Sequence, residues 1–435
     1  MKANMLPLLN YYVYAKKKDT VEIFKDKCFV IVLHFLRDLI PFLEALVKLG
    51  AKPENCWLIA KPYPYPYKKL IGDRLSSEGF KIVIAENYPI ISLCRETLHN
   101  AYLHSMQSNL KIIIIEDGGH IAQHISEMSK KEYFIGAIEQ TMKGYWKYKE
   151  LMDEKKLFFP VLSVASSRFK SEYEPRFIGK AIIKNIRRFL PDMHLSGKKA
   201  LVFGFGSIGS MVSYYLKSME GMVVDVCEVD PKKRLLARFD NYYVKGSIKE
   251  FGEKDWTLVV GCTGGKKEGE KELSTIDEDV ISSLPHGCIL VSGSSDQIEI
   301  DMECLSRYSQ GNVENIYVEE IIKDGQKEAK GDEITFQSLI RRIKIGSKYK
   351  LTLLRRTQSA PDIILLADGY PINFFSSESV PNESIDPIMT TIFLSTVYLA
   401  RNYKNLKNMI LEKEVDDLIK EEIMLETFIR LHGLQ

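Results

Sequence analysis

Short runs of β-branched and aliphatic residues recur along the chain, nearly free of polar positions and each followed by a stretch of helical spacing. "CFVIVL" (28 to 33), "CWLIA" (56 to 60), "KIVIA" (81 to 85) and "KIIII" (111 to 115) form a first set, with amphipathic segments such as "DLIPFLEALVKLG" between them. A strand that is apolar at every position is buried on both faces, and this predicts a parallel sheet covered by helices. "ALVF", "MVVDVC", "TLVV", "CILVS" and "DIILLA" form a second set. The chain therefore reads as α/β, with two doubly wound, Rossmann-like domains whose sheets are parallel. Between "CILVS" and "DIILLA" lies "IIKDGQKEAKGDEITFQSLIRRIKIGSKYK", a long charged excursion near 316–350, expected to move or to touch a neighbouring subunit. The tail, "YKNLKNMILEKEVDDLIKEEIMLETFIRLHGLQ", has the spacing of one or two C-terminal helices.

Length agrees with this division, since 435 residues exceed what one core usually organises. The chain is 45% hydrophobic and 27% charged with a net charge of +2, so it offers no large single-sign field. Nucleic acid and membrane surfaces are thereby disfavoured as primary partners. No apolar run approaches the roughly 18 residues that span a bilayer, and "MKANMLPLLNYYVYAKKKD" lacks the pattern of an export signal. A cytoplasmic location is the expectation. Seven cysteines without any C-x-x-C pair argue against a disulfide framework and a zinc site, so no metal is expected.

Chemistry enters first at "ALVFGFGSIGSMV". Gly204, Gly206 and Gly209 fit G-x-G-x-x-G between a strand and the helix pattern "SMVSYYLKSM". Glycines there allow a tight turn and a close approach of backbone to a pyrophosphate at the positive end of a helix. Glu228, in "CEVDP", lies 19 residues beyond Gly209 at the end of the next strand, where an acid accepts the ribose hydroxyls of NAD. A packing turn without a cofactor is the competing reading. Ligands of open parallel sheets bind beyond the carboxyl ends of strands, which selects His34 after "CFVIVL" and Asp117 after "KIIII". Taken singly, each is more often structural; two at the tips of one sheet point to a site. Lys170, in "FPVLSVASSRFKSEYEPRFIGK", is either a surface lysine or, beside an apolar ring in a cleft, a base toward a hydroxyl.

The chain resembles S-adenosylhomocysteine hydrolase along nearly its whole length. The resemblance rests on "IIIIEDGGH", "GAIEQTMKG", "FPVLSVASSRFKSEYE", "GKKALVFGFGSIGSMVSYYL", "CEVDP", "VSGSSDQIEID" and "LADGYPINF", in the family's order and spacing. It implies a substrate domain over 1–183, an NAD-binding domain over 184–372, and a return to the first domain with C-terminal helices over 373–435. It also implies chemistry in which NAD oxidises a 3′-hydroxyl, the neighbouring proton is acidified, the 5′ group is eliminated, water adds and the ketone is reduced back. Lys170 then activates the hydroxyl, Asp117 stands near C4′ and the leaving group, His34 beside them, and Glu174 supports the lysine and binds ribose. The cofactor set becomes Gly204, Gly206, Ser207, Ile208, Gly209, Glu228, Thr263, Gly293, Asn373 and Thr141.

Departures from the family concentrate on the substrate. Gln140 replaces the second glutamate of its Glu-Glu-Thr-Thr-Thr-Gly run, and an amide hydrogen-bonds but cannot accept a proton. Ser294 stands where the family has a histidine, Ala165 and Ser166 where it has Asn-Asp, and Leu36 and Asp38 near the place of adenine. In "AKPYPYPYK", Tyr63 and Tyr65 suggest either a stacking wall for another ring or a stiff exposed loop. The lysine and tyrosine of the family's tail are missing, so a homodimer is favoured over a tetramer. The expected function is an NAD-dependent enzyme that transiently oxidises a secondary, 3′-type hydroxyl of a nucleoside or sugar-like substrate, without efficient adenosylhomocysteine hydrolysis. A catalytically silent NAD-binding sensor and a dehydrogenase with exchangeable cofactor are the alternatives.

Overall fold

A computed structural model describes residues 6–20, 22–63, 67–86, 90–268, 271–294, 298–309, 313–316, 351–354, 363–375 and 379–434. Residues 317–350, most of the expected excursion, and Tyr65 lie outside these. The chain forms two compact units, one of residues 1–174 with 381–435 and the other of 175–380.

In the first unit the strands are β1 (Lys27–Leu33), β2 (Cys56–Ala60), β3 (Lys81–Ile84), β4 (Lys111–Glu116), β5 (Phe134–Glu139) and β6 (Val161–Ser163). Their spatial order is β6-β5-β4-β1-β2-β3, and every pair is parallel. The apolar runs of the sequence are the central strands: all seven residues of β1 are buried. β5 and β6 were not expected as strands, because Gly136 and the brevity of "VLS" weaken their apolar signature. The order reverses between β1 and β4, the topological switch point at which such sheets bind ligands.

The second unit contains β7 (Lys199–Phe203), β8 (Val223–Cys227), β9 (Tyr243–Lys245), β10 (Leu258–Gly261), the hairpin strands β11 (Lys266–Glu268) and β12 (Lys271–Leu273), then β13 (Cys288–Ser292), β14 (Val313–Ile316), β15 (Leu351–Leu354) and β16 (Ile363–Leu365). The main sheet runs β14-β15-β16-β13-β10-β7-β8-β9. Six strands repeat the parallel doubly wound order, with its switch point between β7 and β10. β15 pairs antiparallel with both β16 and β14, a departure from the all-parallel expectation. The two strands extend the sheet at an edge, where no crossover helix is required.

The C-terminal segment returns to the first unit as helix Asn382–Asn402, then a two-residue strand β17 (Ile410–Leu411) paired parallel with β6, then helices Lys413–Glu421 and Met424–Leu431. The expectation of terminal helices missed only the strand, too short to show a period. Asp386, fully buried on the long helix, accepts from the amides of Leu8 (2.8 Å) and Leu9 (3.0 Å) and faces His432 Nε2 at 2.9 Å. Among the described residues no helix is long and apolar enough to cross a membrane. Six of the seven cysteines are buried and none is paired.

Candidate functional site

The register of the first sheet lines up four strand-end residues. Leu33 pairs with Ala60, Val32 with Glu116 and Glu116 with Glu139, so His34 and Lys61 emerge level with each other, and Asp117 and Gln140 one residue short of them, at the carboxyl edge of β1, β2, β4 and β5. They converge on Asp117. Lys61 Nζ donates to Asp117 Oδ1, Gln140 Nε2 donates to Oδ2 at 2.8 Å, and His34 Nε2 lies 3.3 Å from the same Oδ2. Asp117 is 6% exposed and Lys61 1%. Burial alone would raise the carboxyl, but the Lys61 ammonium and then His34 hold Asp117 well below the usual carboxylate range.

Lys170 joins the cluster from helix Arg168–Phe189, whose first turn is fixed by Ser167: its hydroxyl accepts from Lys170 N at 3.3 Å and donates to Val164 O at 2.8 Å. Lys170 Nζ donates to the backbone carbonyl of Gln140 and lies 3.4 Å from Glu174 Oε2, one turn along the helix. Burial raises the Glu174 carboxyl, and Lys170 pulls it partly back. Lys170 is 8% exposed, which disposes of the surface-lysine reading.

Two carboxylates missed by the sequence reading brace this edge from below. Glu139 accepts from Gly118 N (3.2 Å), Gly119 N (3.0 Å), Thr141 N (2.6 Å) and Thr141 Oγ1 (2.7 Å), so it clamps the turn that carries Asp117. Thr141, expected to contact the cofactor, is also the N-cap of helix Met142–Asp153, accepting from Gly144 N at 3.1 Å. Glu116 accepts from Ile121 N at 2.8 Å and from the Tyr148 hydroxyl. Burial and the neighbouring Glu116 push Glu139 up to about 8, while the Thr141 donors draw it back.

In the second unit the glycine turn follows β7 at that sheet's switch point, and each glycine answers a different requirement. Gly204 adopts φ +88°, the left-handed region that side chains avoid. A Cβ on Gly209 would collide with the Gly204 carbonyl oxygen, so this glycine lets helix Ser207–Ser218 start against the turn. A Cβ on Gly206 would meet only Lys233 Nζ at 4.0 Å, which leaves its backbone open to a close ligand. Glu228, 6% exposed, accepts from Phe205 N at 2.6 Å and Asp230 N at 2.9 Å, so the acid stands against the glycine turn. Residues Ser207 and Ile208 open the helix that follows the glycine turn. These features suit a dinucleotide: backbone amides for pyrophosphate and a carboxylate for ribose.

The remaining cofactor candidates also fall in this unit. Thr263 follows β10, and Glu299, fully buried and missed in the sequence, accepts from Thr263 N (3.0 Å), Thr263 Oγ1 (2.8 Å) and Gly264 N (2.8 Å). Gly293 packs so closely that a Cβ would meet Cys262 Sγ at 3.0 Å. Asn373 is buried, its carbonyl accepting from Asn185 Nδ2 at 3.2 Å. Ser294 is buried with its hydroxyl 3.5 Å from that of Ser292, and Ser166 bonds Ser163 Oγ at 2.8 Å. Leu36 is buried. No group of three or more metal-binding side chains occurs among the described residues.

Residues 177–346 match the family model described as "S-adenosyl-L-homocysteine hydrolase, NAD binding domain". The chain is 26% identical over 301 residues to the adenosylhomocysteinase of Sulfolobus acidocaldarius, a match that covers 68% of this chain and 61% of that protein. It is 24% identical over 379 residues to the adenosylhomocysteinase of Thermotoga maritima, covering 86% and 80%. It is also 24% identical over 314 residues to the S-inosyl-L-homocysteine hydrolase of Methanopyrus kandleri, covering 71% and 64%. The chain thus spans less than two thirds of the length of the Sulfolobus relative. The glycine turn and Glu228 lie within the residues that match this NAD-binding domain model.

Proposed function

We propose that this chain, a diverged member of the S-adenosyl-L-homocysteine hydrolase family, is an NAD-dependent enzyme that transiently oxidises a secondary, 3′-type hydroxyl of a nucleoside or sugar-like substrate. The observation that carries the reading is Lys170, whose amino group is buried at the carboxyl edge of a doubly wound sheet, between the Gln140 carbonyl and Glu174. A lysine in that setting has no packing purpose that an apolar residue would not serve better.

In this reading Lys170, as the neutral amine, takes the hydroxyl proton and becomes an ammonium, with Glu174 holding its Nζ. NAD, which the glycine turn and Glu228 would hold, would supply the two-electron oxidation of the carbinol carbon. His34 exchanges the proton of the carbon next to the resulting ketone, and Asp117 supplies the negative charge that favours His34 as an imidazolium. Gln140 bonds a substrate hydroxyl or carbonyl without exchanging protons, which disfavours efficient adenosylhomocysteine hydrolysis. That relatives include both an adenosyl and an inosyl enzyme supports a site whose base reading varies while its redox chemistry stays. A cytoplasmic homodimer remains part of the proposal.

The test begins with mass spectrometry of small molecules released on denaturing the purified protein, followed by addition of adenosine, inosine and simple ribosides while NADH absorbance is followed. Bound NAD with substrate-dependent absorbance that decays as the cycle closes supports the proposal. Bound NAD that no riboside reduces points to a silent sensor. Reduced cofactor that exchanges freely into solution points to an ordinary dehydrogenase.

A further inference from the structure

The turn after β2 runs Ala60-Lys61-Pro62-Tyr63, and both of its chemically capable side chains point inward, each 1% exposed. An ammonium buried this deeply persists only beside an anion, and Lys61 Nζ meets Asp117 Oδ1. The Tyr63 ring does not stand as a wall toward solvent. It stacks on the His34 imidazole, with centroids 5.0 Å apart and planes 15° from parallel. One short turn therefore grips both members of the His34–Asp117 pair, the lysine by charge and the tyrosine by its face.

We infer that Lys61 and Tyr63 are positioning residues: Lys61 keeps Asp117 a fixed anion, and Tyr63 keeps the His34 ring in the plane that points Nε2 at that anion. The inference deepens the proposed function and depends on it for its meaning in catalysis. With Lys61 on one oxygen and Gln140 and His34 on the other, both oxygens of Asp117 are engaged. It orients and does not carry protons. Neutral His34 then holds its proton on Nε2, toward Asp117. The other charges around the pair are Glu116 and Glu139 at the ends of β4 and β5, Lys170 and Glu174 on the helix that follows β6, His120 after the glycine turn, and Lys147, whose Nζ donates to Gly118 O at 2.9 Å.

The experiment is nuclear magnetic resonance of the full chain labelled with 13C and 15N at histidine and aspartate, which needs no substrate. In the unaltered protein the Asp117 carboxyl carbon keeps its ionised shift below the ordinary aspartate range, and neutral His34 shows the Nε2–H tautomer. Lys61→Met moves the His34 titration midpoint up by about one pH unit and lets Asp117 titrate; Lys61→Arg restores both. Tyr63→Ala mixes the His34 tautomers, and Tyr63→Phe, which keeps the stacked ring, does not. An unaltered protein whose Asp117 titrates like an ordinary aspartate overturns the inference, as does an unmoved His34 midpoint in Lys61→Met. Should Lys61→Met fail to fold, the Asp117 carbon of the unaltered protein decides alone. Because turnover is not measured, these results stand apart from success or failure of the proposed reaction.

Discussion

At the scale of single residues, Lys170 and Glu139 make opposite predictions, one about rate and one about stability. Replacing Lys170 with alanine removes the group to which the proposal assigns the hydroxyl proton, and it leaves the NAD turn of the other unit intact. Riboside-dependent NADH formation should fall by about 100-fold or more while NAD content is unchanged. Unchanged turnover in K170A would remove the lysine from the mechanism. Glu139 acts through linkage. Its folded carboxyl is raised to about 8, so between the unfolded value near 4.3 and that point the folded state holds a proton the unfolded state has lost. Stability of the first unit therefore declines as pH rises through this window and levels off above it. Glu116, raised by burial, adds a slope of the same sign. Denaturant titrations of E139Q should show a flatter decline than the unaltered protein, whatever their absolute stability.

Elements carry the next prediction, because the glycine turn is a contact between a loop and the helix it starts. A methyl group on Gly209 would press into the Gly204 carbonyl, and forcing a methylene into a packed site costs about 1–3 kcal/mol. G209A should lose NAD affinity by about tenfold or more, read by calorimetric titration, with the far-ultraviolet spectrum unchanged. That this element was legible in the sequence follows from its chemistry. Three glycines between an apolar strand and an amphipathic helix leave few other readings, and His34 and Asp117 were legible by the strand-end rule. The same rule applied to "CWLIA" would have found Lys61; it was passed over because a lysine beside prolines reads as an exposed loop. Tyr63 was legible as a stacking residue, but its partner was not. Ring partners depend on how strands register, and nothing local to "PYPYP" encodes the pairing of Leu33 with Ala60. Glu116, Glu139 and Glu299 were hidden for a related reason. Glu139 and Glu299 are held in part by backbone amides 20 to 36 residues away, and Glu116 by the amide of Ile121 and the Tyr148 hydroxyl, partners that the residues beside each acid do not show.

On the scale of the whole molecule, the first unit is closed by a segment that returns after the entire second unit, so its stability depends on how the two stretches are joined. Asp386 is the buried joint: it accepts two amides at the start of helix Pro7–Thr20 and faces His432 near the other end of the chain. Removing it leaves two buried amides and an imidazole without their acceptor, a loss on the order of 3 kcal/mol. NAD should act elsewhere, since a ligand held at one hundred times its dissociation constant stabilises the structure that binds it by about 2.7 kcal/mol. Scanning calorimetry of the intact chain can separate the two effects. D386A should lower the transition that NAD leaves in place, and saturating NAD should raise the one that D386A leaves in place. A single transition shifted equally by the substitution and by the cofactor would mean that the two units unfold as one cooperative body, and that the cofactor's binding energy reaches the joint at Asp386.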